Sequence, residues 1–235
     1  MPAPIVLLAP GVYRIPTFGD YINSFAFVDD DGQVTLVDAG LTRAPARIVA
    51  ALAGIGKRPA DVTRILLTHA HADHAGGARD LLRRTGRNGV DVHEEDAPFI
   101  RDGRVPPLSS TMGRLITRGP MGSFAPVPVA MELRDGDVLD VAGGLRIVHT
   151  PGHTPGHISL LHEDSGVLIT GDALMNMASR MRFSFPLVCT SSHQNEQSAH
   201  VLGELSYSVA AFTHGPEIRE NARARVREFL RTRPA

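Results

Sequence analysis

Four side chains able to hold a divalent cation stand within six positions, in the run Thr68-His69-Ala70-His71-Ala72-Asp73-His74-Ala75-Gly76-Gly77. Imidazole and carboxylate suit zinc and other borderline divalent ions. In an extended segment side chains alternate with period two, so His69 and His71 point the same way and can reach one ion. Asp73 and His74 follow where a turn into a helix would aim them at a second point, and Gly76 and Gly77 allow close backbone packing there. A lone histidine is more often a hydrogen-bonded core residue than a ligand, but that reading does not account for this spacing. The same grammar recurs three times, each time as a β-like run that ends in a ligand type: 145–150 leads into Pro151-Gly152-His153-Thr154-Pro155-Gly156-His157, 167–170 into Gly171-Asp172, and 209–213 into His214-Gly215. Rigid scaffolds present chemistry on loops at such strand ends.

The elements that must position these residues are legible as a rhythm. Strand-like runs at 12–15, 24–28 and 34–37, the last two flanking the turn cluster 29–32, give a hairpin signal. Residues 43–55 carry Ile48, Leu52 and Ile55 at helical spacing, closed by Gly54 and Gly56. A buried strand at 65–67 runs directly into His69; 77–84 reads as a helix and 90–92 as a strand. The rhythm breaks over 93–130, which holds six prolines around a short helix at 110–118 and reads as a lid or insert. It returns with strands at 138–141, 145–148, 158–161 and 167–169, a helix at 194–205, a strand at 209–212 and an arginine-rich helix at 221–231. Hairpins followed by helices in both halves suggest two sheets packed face to face with helices outside. With no repeat or linker, 1–235 reads as a single domain.

With 43% hydrophobic and 21% charged residues, the 235-residue chain has the composition of a folded protein, not of a disordered or fibrous one. Lys+Arg (24) and Asp+Glu (25) balance to a net charge of -1, so no global field favours nucleic acid or an anionic membrane as partner. A single cysteine, Cys189, excludes a disulfide framework and a thiolate-rich zinc site, and fits a reducing compartment. The first residues lack the basic region and long apolar run of a signal peptide, and no run approaches the roughly 20 apolar residues of a membrane span. A cytoplasmic protein acting on a small molecule is the expectation. A homodimer is compatible with the sequence, although no motif calls for one. Serine-hydrolase and nucleotide-binding motifs are missing. The arginines of the last helix, with Glu220 and Glu228, read as a solvated face.

Taken in order, HxHxDH, a lone histidine in a TPGHTxGH-like segment, an aspartate after TGD and a final histidine before glycine, the chain resembles the metallo-β-lactamase-fold hydrolases. The resemblance implies an α/β (α+β) architecture, a four-layer αββα sandwich with the site at one edge of its two sheets. It also implies two zinc ions per chain, with iron or manganese as alternatives. One ion would be held by His69, His71 and His153, the other by Asp73, His74 and His214, with Asp172 bridging them. A metal-bridging hydroxide would attack an ester, lactone or thioester, with Asp73 placed to orient it or receive its proton. His157 would support the His153 loop, and His93 and His162 would be structural.

Within this family the aspartate at 172 resembles glyoxalase II and lactonases more than the secreted β-lactamases, which typically lack it. The well-known lactonases carry a tyrosine where this chain has Met175. Glyoxalase II enzymes carry a C-terminal glutathione-binding extension that the residues after His214 are too few to form. Persulfide dioxygenases share most of the ligand set with a single iron, which makes a mononuclear-iron sulfur dioxygenase one alternative and a non-catalytic metal-binding or regulatory protein another. For substrate contacts, Arg180 and Arg182 could grip a carboxylate or phosphate bidentately, although an exposed strand explains their alternation with Phe183 and Phe185 equally well. The segment 112–124, with Met112, Leu115, Ile116, Met121 and Phe124, could form an apolar lid or simply pack on the core.

Overall fold

The computed structural model describes residues 4–119 and 122–233. Strands β1 (Val6–Ala9), β2 (Val12–Pro16), β3 (Asn23–Val28), β4 (Val34–Val37), β5 (Val62–Leu66), β6 (Val90–His93) and β7 (Val129–Leu133) form one sheet in chain order. It is antiparallel from β1 to β4 and parallel from β4 to β7. The second sheet contains β8 (Val138–Leu139), β9 (Leu145–His149), β10 (Ile158–His162), β11 (Val167–Ile169) and the late strand β14 (Val209–Ala211), in the order β14-β11-β10-β9-β8. Between them in the chain, β12 (Leu174–Met177) and β13 (Arg180–Phe183) pair as a separate hairpin. The helices are α1 (Pro45–Gly54), α2 (Ala72–Ala75), α3 (Ala78–Thr85), α4 (Ala97–Asp102), α5 (Thr111–Ile116), α6 (Ser192–Ala199) and α7 (Ala222–Arg231).

Strand alternation sorts the apolar residues into three layers. On β3, Phe25 and Phe27 face the second sheet, where they meet Ile147, Ile158, Leu160 and Ile169, while Ala26 faces α1 and α3. On β11, Val167 and Ile169 face the first sheet and Leu168 faces α6 and α7. Ile48 and Leu52 of α1 with Leu81 and Leu82 of α3 close the first outer layer, and Ala199, Val226 and Leu230 the second. The result is the α, β, β, α order that the resemblance implies. No helix among the described residues is long and apolar enough to cross a membrane.

The structure departs from the sequence reading in several elements, among them β12 and the 186–188 turn, for which the sequence reading names no element. In α4, Pro98 stands in the first turn, where a proline starts a helix instead of breaking it. β7 is largely exposed and presents no apolar alternation. The helix expected over 194–205 divides into α6 and a 3-10 turn, His200–Gly203. The segment 93–130 thus contains α4, α5 and the approach to β7. In it Met112 and Leu115 point to solvent, both 58% exposed, and Phe124 packs on the outer core. Met121 and the side chain of Ile116 lie outside the described residues.

Candidate metal centre

β5, β9, β11 and β14 each end just before one of the donor-bearing segments. Because β9, β11 and β14 run in the same direction, their loops emerge at one edge of the second sheet. His71 precedes α2, a single turn that carries Asp73 and His74, and Gly77 brings the start of α3 against the end of β4. A Cβ at Gly77 would lie 2.3 Å from the Ala39 carbonyl oxygen and under 3 Å from the Pro45 ring, so no other residue fits there.

All seven donors expected from the sequence meet at this edge. They fall into overlapping groups: His69, His71 and His153; His69, His74 and Asp172; Asp73, His74 and His214. His69 Nε2 and His153 Nε2 are 3.1 Å apart. The Asp172 carboxylate stands at the centre, with Oδ2 3.3 Å from His153 Nε2 and 3.1 Å from His214 Nε2, and Oδ1 3.5 Å from His74 Nε2. Asp73 Oδ2 lies 3.4 Å from His214 Nε2 and 3.6 Å from His74 Nε2.

The second nitrogen of four of these rings is anchored, which aims the first. His74 Nδ1 donates to Asp38 Oδ2 at 2.8 Å, and His69 Nδ1 meets the Thr68 hydroxyl at 3.0 Å, which in turn donates to Asp38. His153 Nδ1 meets Ser184 Oγ at 2.8 Å, with Cys189 Sγ at 3.6 Å, and His214 Nδ1 donates to the Tyr21 carbonyl. A ring tied at Nδ1 presents Nε2 as a ligand in a fixed tautomer and orientation. His74 Nε2 is buried and has no hydrogen-bond partner. A buried polar atom left so requires an occupant, and a cation satisfies it together with the facing donors of Asp73 and His214. The donor set therefore fits divalent cations.

Burial pushes His69 and His153 well below the ordinary imidazole range and His71 down to about 4, so all three are neutral and their lone pairs are available. Burial opposes charge on His74 and His214 as well, but there the carboxylates of Asp73 and Asp172 outweigh it: His74 is raised well above its usual value and His214 to about 9. In turn, these histidines hold Asp73 and Asp172 ionised against the cost of burial.

Several supporting residues lie outside the sequence reading. Asp38 is one, and its left-handed backbone (φ 60) after β4 turns its carboxylate under Thr68 and His74. Asp96 is fully buried and accepts from the Ala70 N–H (2.8 Å), the Thr154 hydroxyl (2.7 Å) and the Gly156 N–H (2.7 Å), which ties the His69–His71 run to the His153 loop. Burial pushes its carboxyl up to about 6. His157, expected to support the His153 loop, donates from Nδ1 to the Thr150 carbonyl and accepts the Asp172 N–H at Nε2 (2.7 Å), so it also fixes Asp172. Thr213 donates to Asp172 Oδ1 at 2.6 Å. A further donor group, His93, Glu95 and His149, does not converge in this way. Its imidazoles stack at 4.0 Å and 15°, and His149 Nε2 is taken by the Pro155 carbonyl at 2.8 Å.

The centre floors a cavity of about 520 Å³, walled by Ile22, Leu41, Val105, Leu108, Met175, Met177, Phe185, Leu187 and Val188. Met175 is buried in that wall. Arg180 and Arg182 are not among the described residues that line the cavity. They pair with Met177 and Met175 across the hairpin, so they share the methionines' face but stand one strand further out, with the Arg182 guanidinium 5.6 Å from the Phe185 ring centre. One short segment serves both the wall and the centre: Ser184 and Cys189 contact His153 Nδ1, and Phe185, Leu187 and Val188 between them line the cavity.

A sequence model of the metallo-beta-lactamase superfamily matches residues 18–229. The chain belongs to that superfamily. Among its relatives, the uncharacterized protein YobT of Bacillus subtilis is 30% identical over 82% of either chain, and the probable metallo-hydrolase YybB of the same organism is 28% identical over 83% of this chain and 81% of its own. A hydroxyacylglutathione hydrolase of Cereibacter sphaeroides is 32% identical over 54% of this chain and 39% of its own length. Among solved superfamily structures, the Rm3 metallo-beta-lactamase has a TM-score of 0.74 at 23% identity, covering 97% of this chain and 91% of that one. A Cronobacter sakazakii metallo-beta-lactamase with a HARLDQ motif has a TM-score of 0.73 at 21% identity, covering 98% and 92%. At those identities the likeness establishes the fold alone; it is the superfamily match over 18–229 that implies divalent-metal binding in a metallo-hydrolase family.

Proposed function

We propose that the chain is a dinuclear zinc hydrolase that cleaves an ester, lactone or thioester of a small molecule. The observation that supports this reading is the convergence of five imidazoles and two carboxylates, in three overlapping groups, at the floor of an apolar cavity. His69, His71 and His153 would hold one ion and Asp73, His74 and His214 the other, with Asp172 between them. When bound, such a pair supplies a water acidic enough to act as a nucleophile near neutral pH and a Lewis acid for the carbonyl.

The chain's own residues do the rest. The Asp73 side chain is 32% exposed and, being ionised, is placed to orient the attacking water and to take its proton. Asp38, Ser184 and the Tyr21 carbonyl keep the imidazoles in one tautomer. The apolar wall limits the water that competes with the bound substrate.

The test pairs metal analysis of the purified protein by plasma mass spectrometry with a panel of esters, lactones and thioesters. Two equivalents of zinc and chelator-sensitive hydrolysis are expected, and alanine at His71 or Asp172 should reduce turnover to background with the circular dichroism spectrum retained. Wild-type turnover by either variant would falsify the reading. One equivalent of iron without hydrolysis would replace it with oxygen-dependent sulfur chemistry.

A further inference from the structure

The cavity has a chemical bias that the metal centre does not explain. Among the described residues, every ionisable residue in its lining, His71, Asp73, His153, Asp172 and His214, belongs to the donor set, and no lysine, arginine or glutamate lines it. A charged group on a substrate's arm would thus find no counter-ion along the wall, and any water it gave up there would not be replaced by an ion pair. The wall nonetheless leaves large apolar side chains open to solvent, with Leu41 40%, Phe185 43% and Leu187 37% exposed. Burying them against an apolar partner is favourable.

This wall is built into the fold. α5 packs on the 186–188 turn so closely that a Cβ at Gly113 would lie 2.2 Å from the Leu187 carbonyl oxygen. The Ser109 N–H and hydroxyl both reach the Cys189 carbonyl, at 3.1 and 3.3 Å. The Arg182 guanidinium lies over the Phe185 ring, 5.6 Å from its centre, and is not among the described residues of the lining. The volume, about 520 Å³, is within the range of small-molecule sites, roughly 300–1,000 Å³.

We infer that the substrate carries a neutral, apolar acyl arm that lies along Leu108, Met175, Met177, Phe185 and Leu187 while its carbonyl reaches the floor. This inference rests on the hydrolase reading. It disfavours a substrate that lays a charged group along this wall, as a glutathione thioester would if the carboxylates and ammonium of its thiol arm lay there, since the wall has no counter-ion for them.

The experiment is a kcat/KM series on straight-chain acyl esters of two to ten carbons, the same esters ending in a carboxylate, and a glutathione thioester. Values are expected to rise about three- to fourfold per methylene up to the length the cavity holds. Carboxylate-ended esters should be at least tenfold slower than their methyl-ended counterparts. Leu187→Arg, at a partly exposed position, should shift that ratio toward the carboxylate-ended esters by tenfold or more. A flat series, or a wild-type preference for the charged esters or the glutathione thioester, overturns the inference and leaves the hydrolase reading standing. No turnover of any substrate by metal-loaded protein overturns the hydrolase reading instead. Calorimetry with straight-chain alcohols of four to ten carbons then decides the wall separately: affinity climbing with each methylene supports it, and constant affinity overturns it.

Discussion

At the scale of single residues, the centre is a store of protons as well as a set of ligands. With His214 at about 9 and His74 well above the imidazole range, both rings are protonated at neutral pH, whereas His69, His71 and His153 are not. A cation must displace the two protons held by the first pair, so metal affinity should rise with pH up to about 9 and fall as acid restores them. Calorimetric zinc titrations in buffers of different ionisation enthalpy are expected to report close to two protons released at pH 7, and a value near zero would contradict this charge assignment. Asp96 works through its neighbours. Asp96→Ala removes the acceptor shared by Ala70, Thr154 and Gly156, and is expected to weaken zinc binding about 10- to 100-fold. Activity that returns at high zinc would separate this positioning role from a general loss of fold.

At the scale of elements, the decisive contacts are between a strand end and the turn that follows it. Gly77→Ala forces a methyl group into the Ala39 carbonyl and the Pro45 ring, with an expected loss of about 1–3 kcal/mol in urea unfolding and a displaced α2. The strands leading to the site were readable because each is a short apolar run ending in a ligand type, and the ligands because HxHxDH is a dense, ordered pattern. Asp38 and Asp96 were not readable, because an isolated aspartate after a strand looks like a turn residue until the chain brings Thr68 or Gly156 against it. For Arg180 and Arg182 the sequence left a substrate contact and an exposed strand both open. Their alternation correctly marks a strand, but only the register with Met175 and Met177 reveals that the methionines occupy the cavity wall. α4 was hidden by Pro98, which sits where a helix accepts one.

At the scale of the whole molecule, the donors come from both sheets: His69, His71, Asp73 and His74 follow β5 of the first, and His153, Asp172 and His214 follow strands of the second. Cations held between them would clip the two sheets at one edge and stabilise the folded state by mass action. Chelation is expected to lower the melting temperature by about 5–10 °C, from roughly 2–3 kcal/mol of lost binding free energy, with recovery on adding zinc. An unchanged melting temperature would argue against a bound cation in the native protein. The short segment from Ser184 to Cys189 adds a coupling across this edge, since it grips His153 at its ends and offers Phe185, Leu187 and Val188 to the cavity in between. Whatever steadies that segment from the cavity side also steadies a ligand on the floor, and linkage makes the benefit mutual. If the centre holds a metal, a cavity kept filled should therefore need more chelator to be stripped of it than an empty one, so that an occupied site would guard its own cation against theft.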